Sequence, residues 1–256
     1  MNSEKKQNNQ ENNYTHFGYQ EVKKEDKIFK VKEVFDDVAI KYDIMNDFMS
    51  LGLHRIWKWV TCNLSNVRAN QLVLDLAGGT GDLTKILAKK VLPHGKVILS
   101  DINSSMLSVG RDNMIDNNLL NVDYTVGNAE CLPFADNMFD CVTMAFGLRN
   151  VTDKESALKS IYRVLKPGGK LLVLEFSKPI IGIVEKLYDF YSFNIIPYMG
   201  EIIAGKQEHY KYLVESIRKH PDQEKLKKMF EEAGFFKCNY HNFNMGIVAL
   251  HTGYKV

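Results

Sequence analysis

The chain lacks most of the features that would take it out of the class of ordinary globular enzymes. Its 256 residues include four cysteines, Cys62, Cys131, Cys141 and Cys238, with no C-x-x-C pair. That argues against a disulfide framework and a zinc site, and fits the reduced thiols of a cytosolic protein. No apolar run reaches the ~20 residues that span a bilayer, and nothing reads as a signal peptide. Charge of one sign is also missing: 33 Lys and Arg stand against 31 Asp and Glu, a net charge of +2, which predicts no nucleic-acid surface. The phosphate-binding pattern G-x-x-x-x-G-K-[ST] is absent, the dinucleotide spacing G-x-G-x-x-G fits poorly, and neither an internal repeat nor a metal constellation is found.

What is present centres on Val73-Leu74-Asp75-Leu76-Ala77-Gly78-Gly79-Thr80-Gly81-Asp82. It reads as a buried strand ending in a carboxylate, a turn with three glycines, and a helix start. Leu83, Ile86 and Leu87 then recur at helical spacing. Such a unit makes a crevice at the carboxyl end of an open α/β sheet, where these folds bind ligands. A second acid, Asp101, ends the next strand-like run, Lys96 to Ser100, about twenty residues on, the place from which a carboxylate accepts bonds from a ribose diol. Asp75, before the turn, could hold a cationic amine, directly or through water. A turn without a phosphate grip, an acid for a ribose and an acid near an amine together suit S-adenosylmethionine better than a dinucleotide.

The rest of the pattern predicts strands near 72–76, 97–101, 122–126, 140–146 and 170–176, alternating with helices. That implies a doubly wound, mostly parallel sheet. A helix starting at Asp153 is predicted from a Thr152/Glu155 capping box, with Pro167-Gly168-Gly169 as its stop. Asp222 to Ala233, ended by Gly234, reads as the last helix, and two antiparallel strands joined at Asn244-Met245-Gly246 close the chain. Glu25 to Asn46 reads as an amphipathic helix with Ile28, Val31, Val34, Phe35 and Val38 on one face. The expected organisation is a disordered tail over 1–13 and one domain over 14–256. Within it fall a helical cap at 14–64, a cofactor-binding core at 65–178, a helical insertion at 179–220, and the last helix and hairpin at 221–256. An Asn in the turn Gly127-Asn128-Ala129-Glu130 can accept from an adenine amino group and donate to a ring nitrogen; its plainer use is to make the turn.

Four stretches together resemble the UbiE family of ubiquinone/menaquinone biosynthesis C-methyltransferases, in the class I S-adenosylmethionine-dependent group. They are Asp75-Leu-Ala-Gly-Gly-Thr-Gly-Asp82, Ser100-Asp-Ile-Asn103, Phe146-Gly-Leu-Arg-Asn-Val-Thr152 and Leu165-Lys-Pro-Gly-Gly169. Lys41-Tyr-Asp-Ile-Met-Asn46 and Leu174-Glu-Phe-Ser-Lys-Pro179 carry the likeness further, and it runs from Thr15 to Tyr254. The resemblance implies a Rossmann-like seven-stranded sheet with a C-terminal antiparallel hairpin and a helical N-terminal cap. It implies S-adenosyl-L-methionine held by Asp75, Gly79, Thr80, Gly81, Asp101, Ile102, Asn128 and Ala129, with Leu132-Pro133-Phe134 flanking the adenine, and no metal. It implies C-methylation of a polyprenyl quinol, either demethylmenaquinol or 2-polyprenyl-6-methoxy-1,4-benzoquinol. Ala145 stands where the family usually carries Ser.

Arg149 is the expected group for a quinol oxygen as it becomes anionic. Tyr42 and Asp43, with His54 beside them, are candidates for relay or base. The aromatic stretch Ile180 to Ile203 reads either as helices packed over the sheet or as a groove for a polyprenyl tail open toward a membrane surface. The expected setting is the bacterial cytoplasm, with peripheral contact at the inner membrane and a homodimer or a quinone-synthesis complex as partner states. Competing readings are a class I methyltransferase for another small or sterol-like acceptor, a non-catalytic scaffold, and a nicotinamide oxidoreductase. The glycine spacing and the terminal hairpin count against the last.

Overall fold

The computed structural model describes residues 13–38, 46–47, 50–182 and 207–256. Of strands β3 (Leu72–Leu76), β4 (Lys96–Asp101), β5 (Val122–Val126), β6 (Phe139–Ala145) and β7 (Leu165–Phe176), the three that carry runs of Val, Leu and Ile are β3, β4 and β7. Side chains alternate across a strand, so apolar residues at successive positions mean that both faces of the sheet are covered. Val73, Val97, Leu99, Cys141 and Leu172 point into one core with helices α2 (Leu53–Leu64), α3 (Asp82–Lys90) and α4 (Ser104–Asp116). Leu74, Ile98, Val142, Met144 and Val173 point into the other, with α5 (Lys154–Val164) and α7 (Gln223–Glu232).

The seven strands run in the order β5-β4-β3-β6-β7-β9-β8, completed by β8 (Phe236–Phe243) and β9 (Val248–Tyr254). The first five pair in parallel, and β9 pairs antiparallel with both β7 and β8. This is the doubly wound sheet with a closing hairpin that the sequence predicts. Chain direction across the sheet reverses at β3, with β4 on one side and β6 on the other. The carboxyl ends of these three strands therefore diverge into a crevice.

Three local expectations are corrected. The region expected as a helical cap opens with a two-stranded hairpin, β1 (Tyr14–Phe17) and β2 (Gln20–Lys23), before helix α1 (Lys24–Val38). The hairpin packs with α1 and α6 (Gln207–Lys219) in a small separate cluster of Val31, Val34, Tyr212, Leu213 and Val214, against which Phe17 lies. The cap of α5 is Asp153, not Thr152: its carboxylate accepts from Ser156 N (3.0 Å) and Ser156 Oγ (2.8 Å), while Glu130 accepts from Thr152 N and Asp153 N. Pro167-Gly168-Gly169 does not stop a helix. It lies inside β7, where the pairing with β6 shifts register and Gly168 adopts φ +80°. The last helix runs as predicted, capped by Asp222 and left through Gly234 at φ +101°.

Candidate active site

A cleft of about 800 Å³ of empty space, counting its mouth, opens over the carboxyl ends of β3, β4 and β6. Leu76, Ala77 and Gly79 reach it from β3, and Asp101, Ile102 and Asn103 from β4. Asn128, Ala129 and Glu130 reach it after β5; Met144, Phe146, Gly147 and Asn150 after β6. Five expected cofactor residues thus share one wall: Gly79, Asp101, Ile102, Asn128 and Ala129. Gly79 turns at φ +56°, in the left-handed region that favours glycine. The turns after β3 and β6 approach so closely that a Cβ on Gly147 would lie 2.6 Å from Ala77 Cβ.

Asp101 is 8% exposed at the cleft wall. Its Oδ2 accepts from Gly79 N (3.0 Å) and its Oδ1 from Asn103 N (2.9 Å). One carboxylate thereby holds the glycine turn and the start of α4. Burial pushes its pKa up to about 6, while the backbone N–H groups of Asn103, Gly79 and Ile102 pull it down. Gly79, Asn103 and Ile102 approach it through backbone N–H groups, which leaves lone pairs for hydroxyls of a ligand.

Asp75 differs. It is 1% exposed and is not on the cleft wall. Its Oδ2 accepts from Thr84 N (3.0 Å) and Thr84 Oγ1 (2.6 Å), and its Oδ1 from Thr143 Oγ1 (2.9 Å). Burial pushes it to about 6, opposed by the bonds from Thr84 and Thr143. Asp75 ties β3 to β6 and to α3 from beneath the turn. The sequence reading, which placed it at an amine, missed Thr84 and Thr143. Thr80 and Gly81 are also buried off the wall: Thr80 O accepts from Asn113 Nδ2 (3.0 Å), and Gly81 caps α3 at φ +89°. They shape the turn.

Asn128 uses its Oδ1 to cap the 3-10 turn Ala129–Cys131, accepting from Glu130 N at 3.0 Å. The Leu132-Pro133-Phe134 flank is not at the cleft. Leu132 is buried in the core, and Phe134 packs edge-on against Phe139 with ring centroids 5.0 Å apart.

Arg149 lies in the 3-10 turn Leu148–Asn150, behind the wall made by Phe146, Gly147 and Asn150. It is not a free cation in an apolar setting. Its Nη1 donates to Glu175 Oε1 (3.0 Å) and to the carbonyl of Phe146, its backbone N donates to Glu175 Oε2 (3.1 Å), and its guanidinium stacks over Phe176. Next to it, Asn150 Oδ1 accepts from Tyr212 Oη at 2.9 Å. Tyr42 and Asp43 lie outside the described residues, as do residues 183–203 of the aromatic stretch Ile180 to Ile203. His54 is buried in α2 and meets Asp47 Oδ1 at 2.9 Å, away from the cleft wall; Asp47 is also gripped by Arg55.

The opposite wall comes from the N-terminal region expected as a helical cap. Ile28, Val31, Lys32 and Phe35 of α1 cover the cleft. Asn103 fastens this cover: its Nδ2 donates to Lys32 O (3.2 Å) and Asp36 Oδ1 (3.0 Å), while its Oδ1 caps α4 through Met106 N (2.9 Å). The usable sequence signal was its place two residues after the strand-closing acid. Lys27 is buried beside the cleft and donates to Val151 O at 3.3 Å; burial pushes its pKa down to about 7.

This sheet order, reversed terminal hairpin and covered cleft at the β3/β6 divergence define a class I methyltransferase fold. Solved structures of low identity share it. A SAM-dependent methyltransferase from Aquifex aeolicus superposes with a TM-score of 0.58 at 18% identity, covering 78% of this chain and 89% of that one. A phosphoethanolamine N-methyltransferase of Haemonchus contortus, solved with S-adenosyl-L-methionine, gives 0.58 at 16%, covering 78% and 52%. The ubiE/COQ5 methyltransferase family pattern matches residues 20–255, and the chain belongs to that family. Proteins named ubiquinone/menaquinone biosynthesis C-methyltransferase UbiE are similar over 242 residues, 94% of this chain: 61% identical in Saccharophagus degradans (97% of that protein) and 60% in Klebsiella pneumoniae (96%).

Proposed function

We propose that this protein transfers a methyl group from S-adenosyl-L-methionine to a ring carbon of a polyprenylated quinol, in menaquinone or ubiquinone biosynthesis. The observation that carries this reading is the nearly end-to-end likeness, about 60% identical, to relatives bearing that name, laid over a cleft whose walls suit a sulfonium nucleoside. The fit is chemical. A buried carboxylate at the end of β4 can accept from ribose hydroxyls, and the turn after β5 offers Asn128 and Ala129 to an adenine edge. Apolar Ile102, Met106 and Phe146 can flank the ring and the methyl-bearing chain.

The cofactor supplies an already electrophilic methyl carbon. The protein's task is then to hold an acceptor carbon in line with it, and positioning of this kind can supply much of the rate. We assign the ribose to Asp101, the shape of the glycine turn to Asp75, Gly79, Thr80 and Gly81, and the adenine to Ile102, Asn128 and Ala129. Helix α1 excludes water from the cleft. A phenolic oxygen that loses its proton raises electron density on the ring carbon ortho or para to it. We assign stabilisation of that oxygen to the charge of Arg149. An arginine stays protonated, so the phenolic proton goes to water or to another group, for which Tyr42 and Asp43 are our candidates. The hydrogen of the methylated ring carbon then leaves as a proton, which restores the aromatic ring and its hydroxyl.

Among the described residues no helix is long and apolar enough to cross a membrane. We infer a cytoplasmic protein that meets its insoluble acceptor at the inner-membrane surface, either as a homodimer or within a quinone-synthesis complex. The test is an assay with labelled methyl donor and both quinol precursors. Label in methylated quinone is expected; transfer to neither, with a bound cofactor, would redirect the search to other small or sterol-like acceptors.

A further inference from the structure

The stretch Leu174-Glu175-Phe176-Ser177-Lys178-Pro179 has a charged residue that the reading above leaves without a task. Glu175 follows Leu171 to Leu174, four buried apolar residues, near the carboxyl end of β7. It is itself 1% exposed. A carboxylate at such a place needs partners, and three N–H groups supply them: Arg149 N to Oε2 (3.1 Å), and Arg149 Nη1 (3.0 Å) and Phe176 N (2.9 Å) to Oε1. Two of the three belong to one residue, through its backbone and its side chain. Glu175 therefore fixes both where the Leu148–Asn150 turn sits and where the guanidinium of Arg149 points. The same guanidinium closes back on the carbonyl of Phe146, a residue held at φ +57°. Phe146, Gly147 and Asn150, on either side of Arg149, line the cleft.

We propose that Glu175 is a positioning residue for the methyl transfer: it acts through Arg149, holding that guanidinium and the cleft-lining turn around it in working register. This rests on the function proposed above and deepens it.

The surroundings favour placement over stability as the role. A buried ion pair contributes little net stability compared with apolar side chains of the same volume, and the strand beneath is already apolar. Other polar groups converge on the same spot. Tyr212 Oη holds the Asn150 amide from α6, and burial raises its phenol above the usual range. Lys154, whose ammonium is pushed down by burial, lies in the field of Glu175 and Glu130. His220, also buried, lies in the fields of Lys154 and Arg149. Glu175 thus faces the cations of Arg149 and Lys154, and its loss would remove two of the hydrogen bonds that hold Arg149 in place.

The test is a double-mutant cycle on labelled-methyl transfer to a quinol, with S-adenosylhomocysteine affinity measured by calorimetry on each variant. Glu175→Gln is expected to lower kcat by about 10- to 100-fold, the scale for a misplaced catalytic group, with cofactor Kd nearly unchanged. In an Arg149→Ala background the same change should alter kcat by less than about twofold, because coupled residues are not additive. Multiplying effects in the double variant would overturn the proposal, and so would wild-type kcat in Glu175→Gln. If Glu175→Gln fails to fold, Glu175→Asp keeps the charge but shortens its reach. It should lose kcat in the wild-type background and nothing further in Arg149→Ala; a further loss there overturns the proposal equally. Wild-type protein that methylates no quinol sinks the function itself, a separate outcome.

Discussion

Asp75 and Asp101 sit at the carboxyl-terminal ends of neighbouring parallel strands, are both buried, and are both pushed up to about 6 by that burial. Their surroundings nevertheless divide the work. Asp75 pairs in register with Leu99, two residues before Asp101, so it lies deeper along the strand direction. There it meets the side chains of Thr84 and Thr143 and has none of the cleft. Asp101, at the very end of β4, meets backbone donors on one side and the cleft on the other. An offset of two residues along adjacent strands separates a carboxylate that builds the turn from one that faces the cleft.

The comparison breaks first on stability. Asp75→Ala leaves the Thr84 N–H without its acceptor and opens a small void, an expected loss of about 3 kcal/mol. Urea unfolding should show it, while cofactor affinity of the folded variant stays within a few-fold of wild type. A stable Asp75→Ala that no longer binds would return Asp75 to the ligand.

Asp101→Asn should do the reverse. It exchanges charged for neutral hydrogen bonds to a sugar and sets an amide NH2 against one of the two backbone N–H groups. Calorimetry with S-adenosylhomocysteine should therefore show binding weakened by roughly tenfold or more, with a stability loss of about 1–2 kcal/mol, smaller than that of Asp75→Ala. It should also change the pH response. The carboxylate form accepts from hydroxyls, so wild-type affinity should fall as pH drops through about 6, and Asp101→Asn should flatten that fall where Asp75→Ala keeps it. Stability carries the opposite sign. A carboxyl raised from 3.8 to about 6 binds its proton more tightly when folded, so its contribution is greatest below about 4 and is lost as pH rises to about 6.

The smallest effect sharpens the picture at the cover. Asn103→Ala removes the α4 cap and the bonds to Lys32 O and Asp36, an expected ~1 kcal/mol. Hydrogen exchange should quicken in α1 before it does in the sheet. Equal quickening everywhere would mean that Asn103 is only a cap.

Much of this was legible in one dimension. Runs of Val, Leu and Ile announced β3, β4 and β7, because a strand covered on both faces is mostly apolar, and β5 and β6 followed from their place in the alternation. Gly234 and Asp222 marked a helix, since an αL exit and an Asp cap depend only on neighbours. Local rules also misled where two signals competed within a residue or two. Thr152 matched a capping box, but Glu130, 22 residues away, takes its N–H, and Asp153 caps the helix. The β1–β2 hairpin escaped because Tyr14 to Lys23 is short, polar and largely exposed, and so lacks the apolar alternation that betrays a strand.

The amino-acid order by itself determined the sheet, its glycine turn, the two acids and the family, since each depends on residue types a few places apart. Only the tertiary structure decided that Asp75 serves Thr84 and Thr143, that Arg149 answers to Glu175, and that α1 covers the cleft. Except for Asp75 with Thr84, those pairings join residues 26 or more places apart in the chain. A buried charge takes whichever partner packing brings within about 3 Å, and no local pattern states which that is.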